Sequence, residues 1–429
     1  MAEDWKTYEP IIIPNIPDLH KIDVYEENGG YSALRKILND QDSWSPDAVV
    51  QEMKSANVRG RGGAGFNAGL KWSFMPKPDG RPRYLAANGD ESEPGTFKDR
   101  KIFEYNPHLF IEGAILGAYS MHADAIYLYI RGEYNSWIQM MDKAINDAYE
   151  KGYLGKNIMN SGFDVEMYIY SGAGAYICGE ESALMESIEG KRGYPRVKPP
   201  FPAQKGIWGQ PTTVNNIETL ANAPLVINNG ADWYGQIGAE NHPGPVLYGI
   251  SGHVNRPGVY EYPSGMPVLD LIDKVAGGMR NGKKLKAVIP GGSSTPVVRA
   301  DQLEGITMDA DSLREVGTMM GTAGMVVMDE DTDMVDVLWR IAHFYHHESC
   351  GQCTPCREGT GWIEKVLLKI KNGEGEIKDL DLLLDLCTQM EGRTICALAD
   401  AAAWPVRFTI SRFRDEFEQR CKKSVHAVG

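Results

Sequence analysis

The amino-acid sequence predicts three kinds of structure in succession: an α/β unit with a parallel sheet, a small α+β unit of the β-grasp kind, and a helical bundle. Three observations carry this prediction. Strand and helix patterns alternate between residues 84 and 170, strand patterns dominate from about 243 to 330, and apolar residues recur at helical spacing from Met334 onward. The length of 429 residues agrees with three domains, because a typical domain has about 150 residues.

Alternating strands and helices define the first unit. We predict strands over residues 84–88, 125–130 and 164–170, and helices over 31–38, 107–121 and 135–151. Asn106-Pro107 is a typical helix start, because proline is tolerated in the first turn, and Asn135 is a candidate cap for the next helix. Connections of this length between strands are typical of a parallel sheet covered by helices.

The other two units follow in order along the chain. A hairpin is predicted over 246–262 with its turn at 255–258, followed by a helix over 268–276 and strands over 286–289 and 324–328. The bundle helices are predicted over 334–345, 362–371, 380–390, 397–403 and 406–420. We therefore divide the chain into an N-terminal irregular and helical segment (1–50), an α/β domain (51–240), a β-grasp domain (241–330) and a helical bundle (331–429).

The charge balance excludes two classes of partner. Lys and Arg number 44 and Asp and Glu 58, a net charge of −14. A surface this acidic repels nucleic acid and anionic membranes, so binding to either without specificity is not expected. The most apolar stretch, 109–130, is interrupted by Glu112, His122 and Asp124, and the first residues show no signal-peptide pattern. We expect a soluble, cytosolic chain.

Four cysteines form the strongest chemical signal. Cys350, Cys353 and Cys356 make a C-x2-C-x2-C run, which places three thiols on one loop as a cubane iron–sulfur cluster requires. Cys396 opens a predicted helix and is the candidate fourth ligand, because a helix N-terminus favours thiolate. A zinc site and a coincidental run are the alternatives. Packing or capping explains the remaining cysteines and the neighbouring histidines better than ligation: Cys178, Cys387, Cys421, His346 and His347.

A glycine-dense loop lies before the first strand, over residues 59–66. Its glycines, Gly60, Gly62, Gly63 and Gly65, leave backbone N–H groups open to an anion or to a flat ring. Arg59, Arg61 and Lys71 add positive charge. The loop is not a G-x-G-x-x-G motif after a strand, so an ordinary Rossmann fingerprint is excluded. A flexible turn is the alternative.

A second glycine loop over 171–179 follows a predicted strand and leads into a helix that starts at Glu180 and Glu181. Strand, glycine loop and helix start form the geometry that binds a phosphate or a ring. The two carboxylates suit hydroxyl or ring N–H groups better than phosphate. The loop over 88–95, with Asn88, Asp90 and Glu91, offers similar acceptors after the first strand.

Two further segments have nucleotide-binding character. The polar run over 212–219 could donate amides to a phosphate, and the basic loop over 191–201 combines cations with aromatic rings. A solvated loop is the alternative for the basic segment over 191–201, and a solvated turn is the alternative for the loop over 88–95. Together with the glycine loops and the cysteines, these segments indicate a redox protein with flavin, nicotinamide and an iron–sulfur cluster, because a flavin is the usual bridge between hydride and one-electron chemistry.

These motifs resemble a known family. Gly60-Arg-Gly-Gly-Ala-Gly-Phe66, Asp90-Glu-Ser-Glu-Pro-Gly-Thr96, Gly172 to Glu181, Pro199-Pro-Phe-Pro202, Val214 to Leu220 and Glu348 to Gly359 are similar to the NADH-oxidising flavoprotein subunit (the F subunit) of respiratory complex I, and the likeness covers about residues 30–420 in order. It implies a Rossmann-like FMN/NADH domain, an SLBB β-grasp domain, and a C-terminal four-helix bundle carrying a 4Fe-4S cluster.

The resemblance also implies site residues. Those implied for FMN are Gly60, Gly62, Lys71, Asn88, Asp90, Glu91, Tyr176, Gly179, Glu180, Val214, Asn215, Asn216 and Thr219. Those implied for NADH are Phe66, Phe74, Glu93, Glu181, Lys198 and Phe201. Arg61, Gly63, Ala64 and Gly65 complete the first glycine loop, and Cys350, Cys353, Cys356 and Cys396 are implied as cluster ligands. No catalytic acid or base is implied, since the hydride passes directly from NADH to FMN.

The implied activity is that of an NADH dehydrogenase of the NADH:quinone oxidoreductase, translocase class. Its implied partners are a thioredoxin-like 2Fe-2S subunit and a larger iron–sulfur subunit, in a peripheral arm at the cytoplasmic face of the inner membrane. The diaphorase subunit of an NAD-linked hydrogenase or formate dehydrogenase is the nearest alternative, although no cysteine precedes Cys178 here. A non-enzymatic cluster protein or a zinc-stapled adaptor is the alternative from a different class.

Overall fold

A computed structural model describes residues 4–421, and the elements from Ile22 to Gly235 form an α/β unit. The elements of that unit are α1 (Ile22–Glu27), α2 (Ser32–Asn39), α3 (Pro46–Ser55), α4 (Ala68–Trp72), β1 (Tyr84–Gly89), α5 (Asp99–Tyr105), α6 (Pro107–Met121), β2 (Ala125–Ile130), α7 (Asn135–Glu150), β3 (Glu166–Ser171), α8 (Glu181–Ile188), β4 (Thr212–Asn216), α9 (Ile217–Ala221), α10 (Ala223–Asn229) and α11 (Ala231–Gly235). The predicted strands and helices are present. Asn135 is the first residue of α7 rather than its cap, and its side chain caps nothing.

The first sheet is parallel throughout, with the strand order β3-β2-β1-β4. Asn88 pairs with Tyr129 on one side and with Asn216 on the other, so the strands end at one edge. The carboxyl ends of parallel strands are where ligands bind in open α/β sheets. The three polar loops that follow β1, β3 and β4 therefore meet at this edge.

The two faces of the sheet belong to different hydrophobic cores. Leu85 and Ala87 point into a core made with α6 and the N-terminal helices, whereas Ala86 points into a second core shared with the C-terminal helices. Side chains alternate between faces along a strand, which explains this separation. Helix α6 is buried on every side, which accounts for the apolar stretch seen in the sequence. Among the described residues, no helix is both long and apolar enough to cross a membrane.

The N-terminal segment is held by two buried carboxylates. Glu112 of α6 accepts hydrogen bonds from the hydroxyl of Tyr25 (2.6 Å) and from the backbone N–H of Tyr31 (2.9 Å). Glu261 accepts from the hydroxyl of Tyr8 (2.8 Å) and from the backbone N–H groups of residues 11–13 (2.7–3.0 Å). Burial raises the pKa of both carboxyls, and these hydrogen bonds lower it in part. The segment thus packs on the rest of the chain.

The second unit is a five-stranded mixed sheet with the order β6-β5-β9-β7-β8. Its elements are β5 (Pro245–Gly252), β6 (Gly258–Pro263), α12 (Val268–Asp270), which continues as a π-turn over Leu271–Val275, β7 (Leu285–Ile289), β8 (Val298–Arg299), α13 (Ala310–Glu315) and β9 (Gly324–Asp329). The predicted hairpin is β5–β6, paired antiparallel. The short strand β8 and helix α13 were not predicted, because each is too short to show a pattern.

The third unit is helical, with α14 (Met334–Glu348), α15 (Thr354–Lys371), α16 (Ile377–Met390), α17 (Leu398–Arg412) and α18 (Arg414–Arg420). The sequence predicted a break near Pro405, and this prediction is wrong, because α17 continues through that residue. Ala402, Ala403, Val406 and Ile410 are all buried around it. Packing of this face offsets the cost of an interior proline, about 3 kcal/mol. Helix α15 also starts eight residues earlier than predicted, at Thr354.

Candidate functional site

Four cysteines line one small cavity in the helical unit. Cys350 and Cys353 lie in the loop between α14 and α15, Cys356 lies in the first turn of α15, and Cys396 lies just before α17. The structure therefore brings together the four thiols singled out in the sequence. Cys178, Cys387 and Cys421 do not line this cavity. His346 and His347 do not line it either, and each contacts a carboxylate instead, Glu364 and Glu348 respectively.

The four thiols fit a 4Fe-4S cluster, because four cysteine thiolates are the usual ligands of such a cluster. The backbone N–H of Ile395 points at Sγ of Cys353 (3.4 Å), and the hydroxyl of Ser349 contacts Sγ of Cys356 (3.2 Å). Hydrogen bonds to sulfur are usual around iron–sulfur clusters.

Burial raises the pKa of the free Cys396 thiol to about 12, and a backbone hydrogen bond from Leu398, at the start of α17, lowers it in part. Burial also raises the pKa of Cys356. Ligation by thiolates must therefore release protons, and the positive charge of the metal must supply the free energy for it.

The first glycine loop is a closed turn beside β4. Gly60 donates its N–H to the carbonyl of Phe66 (2.8 Å), and Gly63 and Gly65 have positive φ of 111° and 63°. A Cβ on Gly62 would come within 3.1 Å of Cβ of Asn216, so glycine allows the loop to approach the end of β4. Ala64 lies between them, exposed. This is a cradle with open backbone, as a ring or phosphate needs.

Two predicted cradle residues have structural partners of their own. The guanidinium of Arg61 is buried and donates to Pro243 O (2.8 Å), and it also contacts His242, whose pKa is lowered to about 2 by burial and by this cation. Glu91 accepts from the backbone N–H groups of Lys98 and Asp99 (2.7 Å each) and pairs with Arg100. These two side chains therefore stabilise the loops through buried contacts within the protein.

The loop after β1 presents an acceptor without a partner. Asn88 donates its amide to the carbonyl of Gly179 (2.8 Å), which joins this loop to the second glycine loop. Oδ1 of Asp90 accepts from Ser92 (3.0 Å), whereas the buried Oδ2 has no hydrogen-bond partner. Burial raises the pKa of Asp90 to about 7. A ribityl hydroxyl would satisfy this oxygen, so the site fits the polyol of a flavin nucleotide.

Charges balance at the start of α8. Glu180 caps the helix, and its Oε2 accepts from the N–H groups of Ser182 (2.8 Å) and Ala183 (3.0 Å). Glu181 lies between two cations, with Lys71 at 2.9 Å and Lys198 at 2.7 Å. Burial raises the pKa of Glu181, but the two lysines outweigh burial and lower the pKa to about 2. The repulsion that these carboxylates would exert on an anion is thus largely compensated.

Residues 176–179 separate the two candidate cofactor sites. Tyr176 donates its hydroxyl to Oε2 of Glu93 (2.6 Å) and its backbone N–H to Glu348 (3.0 Å), two residues before Cys350. The next residue, Ile177, lines the cysteine cavity. One short helical turn, Tyr176–Gly179, therefore contacts the polar strand-end site on one side and the thiols on the other.

The end of β4 contributes a set of oriented amides. Oδ1 of Asn216 accepts from the N–H of Thr219 (3.3 Å), and its amide donates to Asp99 (2.6 Å). The hydroxyl of Thr219 accepts from the N–H of Arg61 (2.8 Å) and so ties the first glycine loop to α9. Val214 is buried beneath the site.

Three exposed aromatic rings flank the site. Phe66, Phe74 and Phe201 are 46%, 55% and 54% exposed, and the first two have ring centroids 6.1 Å apart. Rings this exposed are unusual for phenylalanine and are suited to stack on a nucleotide base.

Several residues that support the two candidate sites could not be identified from a sequence motif. Trp72 donates to Asn215 (2.9 Å), Lys98 pairs with the buried Asp99 and Glu218, and Ile177 and Pro195 line the cysteine cavity. Apart from the Lys98–Asp99 pair, these contacts join segments distant in sequence, and no local pattern in the sequence marks them.

Comparison with known proteins covers almost the whole chain. Three family models match: the Nuo51 FMN-binding domain at residues 53–225, the SLBB domain at 247–298, and the NADH-ubiquinone oxidoreductase-F iron-sulfur binding region at 336–420. The NADH-quinone oxidoreductase F subunit numbered 2 in Rhizobium meliloti (strain 1021) is 51% identical over 421 residues, which is 96% of this chain and 99% of that protein. The F subunit of the same oxidoreductase in Rickettsia bellii (strain RML369-C) is 48% identical over 94% of this chain and 95% of its own length.

A solved structure is also similar. A chain of an NAD+-reducing NiFe-hydrogenase in the air-oxidized state superposes with a TM-score of 0.80 at 37% identity, covering 89% of this chain. The present chain spans 64% of the length of that hydrogenase chain.

Proposed function

Because the chain belongs to the family of NADH-quinone oxidoreductase F subunits, we propose how its residues divide the work of such a subunit. The chain is the electron-input subunit, which oxidises NADH and binds FMN and a 4Fe-4S cluster. FMN, when bound, takes a hydride from NADH and releases the electrons singly. The observation that carries the assignment is the turn Tyr176–Gly179, which adjoins both the strand-end site and the cysteine cavity.

The residues around the strand ends would hold FMN. The open backbone of the first glycine loop would support one face of the ring, Asp90 would accept from a ribityl hydroxyl, and the amides of Asn215 and Asn216 would receive the phosphate. Lys71 would add a positive charge at the entrance of the site. The free acceptor at Asp90 Oδ2 and the NH2 group of Asn215, whose oxygen is held by Trp72, support these roles.

The exposed side of the same site would take NADH. Phe66, Phe74 and Phe201 offer faces to the adenine, while Glu93 and Glu181 accept hydrogen bonds from ribose hydroxyls or from the nicotinamide amide. Lys198 neutralises Glu181 and faces the pyrophosphate. With FMN and NADH both bound in this site, hydride transfer would need no protein acid or base, because positioning alone would supply much of the rate.

The helical unit would act as a four-helix bundle that carries the cluster on Cys350, Cys353, Cys356 and Cys396. The domain limits we propose are 1–50, 51–240, 241–330 and 331–429, with the first segment packed onto the others through Glu112 and Glu261. Ile177 lines the cysteine cavity and follows Tyr176, which contacts Glu93, so electrons would pass from the flavin to the thiols across this turn.

The chain assembles with other subunits of NADH-quinone oxidoreductase. The specific partners we propose are a thioredoxin-like 2Fe-2S subunit and a larger iron–sulfur subunit, and the place of assembly is a peripheral arm on the cytoplasmic face of the inner membrane. Both proposals rest on the family alone. Purification of the tagged chain from its source cells, with identification of the copurifying subunits, tests them.

A diaphorase role in an NAD-linked hydrogenase is a second candidate, favoured by the likeness to the hydrogenase chain. The higher identity to quinone-linked relatives favours the first. Electron transfer from NADH to quinone in cell membranes, lost on deletion of this chain, supports the first role. NADH-linked hydrogen turnover lost on deletion would support the second.

The central experiment measures cofactors and flavin reduction together. The purified chain should contain about one FMN and four iron atoms per molecule, and anaerobic NADH should bleach its flavin absorption. A colourless protein that binds zinc at the four thiols and no FMN would instead identify the adaptor class.

A further inference from the structure

Glu93 lies where all three structural units meet. Its Oε2 accepts from the hydroxyl of Tyr176 (2.6 Å), in the α/β unit. Its Oε1 accepts from the backbone N–H of Ser294 (2.7 Å) and from the hydroxyl of Ser293 (3.4 Å), both in the mixed five-stranded sheet unit. The Ser293 hydroxyl in turn contacts the hydroxyl of Tyr345 (3.0 Å), on α14.

The loop that reaches Glu93 is built for close approach. Ser293 donates its N–H to the carbonyl of Pro94 (3.0 Å), so the loop follows the chain just beyond Glu93. Gly292 has a φ of +97°, and a Cβ there would come within 2.5 Å of Cγ of Glu93. Any side chain at 292 would therefore displace the carboxylate. Both the backbone conformation and the contact require glycine at this position.

The arrangement fixes the orientation of the Glu93 carboxylate but does not use all of its hydrogen-bond acceptor positions. An ionised carboxylate offers about four acceptor sites on its two oxygens, and the described contacts use three. Tyr345 is fully buried, so the Ser293 hydroxyl is itself held from the helical side. Glu93 can thus accept one further hydrogen bond in a fixed direction, which suits recognition of a hydroxyl or amide N–H on a ligand.

We propose that Gly292, Ser293, Ser294 and Tyr345 form a clamp that positions Glu93 for NADH, so that the β-grasp unit is a working part of the nucleotide site. The proposal rests on the proposed role of Glu93 toward NADH. The clamp residues are positioning residues, because they act through Glu93 and are assigned no contact with the nucleotide.

Gly292→Ala tests the clamp, with Gly305→Ala as the matched control. Gly305 lies in the same unit at a φ of +75° but has nothing within 4 Å of its virtual Cβ, so it carries the same kind of backbone strain without the contact. In the full FMN-loaded chain, Gly292→Ala should raise the KM for NADH about ten- to a hundredfold and lower kcat less than about threefold, since a displaced carboxylate loses ground-state binding. Gly305→Ala should leave KM within about twofold.

A double-mutant cycle shows whether the effect passes through Glu93. In a Glu93→Ala background, adding Gly292→Ala should change KM no further, because the crowded side chain is gone. Binding of NAD+, followed by titration calorimetry, gives a readout independent of turnover and should weaken in parallel. Hydrogen exchange of the Thr96 amide, which donates to the carbonyl of Glu93 (2.9 Å), should speed up in Gly292→Ala only.

Milder variants decide the matter if Gly292→Ala does not fold. Ser293→Ala and Tyr345→Phe should each raise the KM for NADH about two- to fivefold. Ser293→Thr should leave this KM at the parent value, because threonine keeps the hydroxyl. Unchanged NAD+ binding in Gly292→Ala or in Ser293→Ala, or an equal effect with and without Glu93, would overturn the clamp. Failure of the parent chain itself to bind NAD+ or to bleach with NADH would instead refute the proposed function.

Discussion

The indole N–H of Trp72 donates a hydrogen bond to Oδ1 of Asn215 across 2.9 Å, and so fixes the orientation of that side-chain amide. With its oxygen occupied, Asn215 has its NH2 group to offer a phosphate. Trp72 is buried on α4, and Lys71 beside it pairs with Glu181 (2.9 Å). One short helix thus orients Asn215 and carries Lys71, two residues of the proposed FMN site.

Trp72→Phe should weaken FMN binding. The variant keeps most of the apolar volume but loses the donor, so Asn215 can turn its oxygen toward the phosphate. We expect the FMN dissociation constant to rise about three- to tenfold, and the free energy of unfolding to fall by about 1–2 kcal/mol. Recovery of flavin fluorescence on dilution measures the first quantity. Trp208→Phe, which alters an indole that is 50% exposed, is the control and should leave FMN in place; equal loss of FMN in both variants would refute the role of Trp72.

Asp90 should make FMN binding depend on pH. Burial raises the pKa of Asp90 to about 7, and the ionised form is the better acceptor for a ribityl hydroxyl. FMN affinity should therefore increase as pH rises from about 6 to 8, and Asp90→Asn should flatten that rise. Equilibrium dialysis against FMN at several pH values measures it, with the exposed Asp79→Asn as control.

The raised pKa of Asp90 also determines how the stability of the folded protein changes with pH. The folded-state pKa of Asp90 lies above its ordinary value of 3.8, so the FMN-free protein holds a proton that the unfolded chain has lost. The stability that the folded state gains from holding this proton is complete below about pH 4 and is lost as pH rises through about 7. Urea unfolding of the FMN-free chain should show Asp90→Asn gaining stability over the parent at pH 8, and an unchanged difference at pH 4 and pH 8 would contradict this.

Lys198→Ala should weaken NADH binding and leave FMN bound. Lys198 balances Glu181 at 2.7 Å, and without it the carboxylate faces the pyrophosphate with only Lys71 as counter-charge. We expect the KM for NADH to rise about ten- to a hundredfold, the scale of one charge-assisted hydrogen bond of ~1.5–3 kcal/mol. Because the pKa of Glu181 is about 2, this site adds no pH dependence to the parent KM between pH 5 and 9. Lys205→Ala, exposed in the same loop, should have no such effect.

Cys353→Ala should separate flavin chemistry from electron export. Sγ of Cys353 is one of four in the cavity and receives the N–H of Ile395 (3.4 Å). The variant should lose iron and become less stable, because the cluster also ties the loop to the helices. NADH should still bleach its flavin, and a small two-electron acceptor should still be reduced, whereas delivery to a partner iron–sulfur subunit should fall sharply.

The control for that variant is Cys387→Ala. Cys387 is buried in α16 and donates its thiol to the carbonyl of Ala403 (3.4 Å), away from the cavity. It should keep its iron and its export rate. Parent-like export from an iron-depleted Cys353→Ala variant would place the cluster off the electron path.

Local patterns in the sequence predicted the parallel sheet and the loops at its edge, because each strand lies in one short segment and parallel strands must end together. They did not predict that α17 continues through Pro405, since burial of its neighbours, not propensity, decides that helix. They also did not predict the Trp72–Asn215 or Ser294–Glu93 bonds, which join segments 143 and 201 residues apart. Glu91 and Arg61 show the same limit: both belong to the cradle motifs, yet their charges are used by buried partners that no motif reveals.

The anchoring of residues 8–13 by Glu261 has a consequence for synthesis on the ribosome. Chains emerge from the amino end, and domains generally fold as they appear. Here residues 8–13 cannot complete their contacts until about 250 more residues have followed them, because their hydrogen-bond acceptor lies on β6. This segment is therefore fixed long after it is synthesised, and until then the stretch around Ile12 is open to chaperones and proteases.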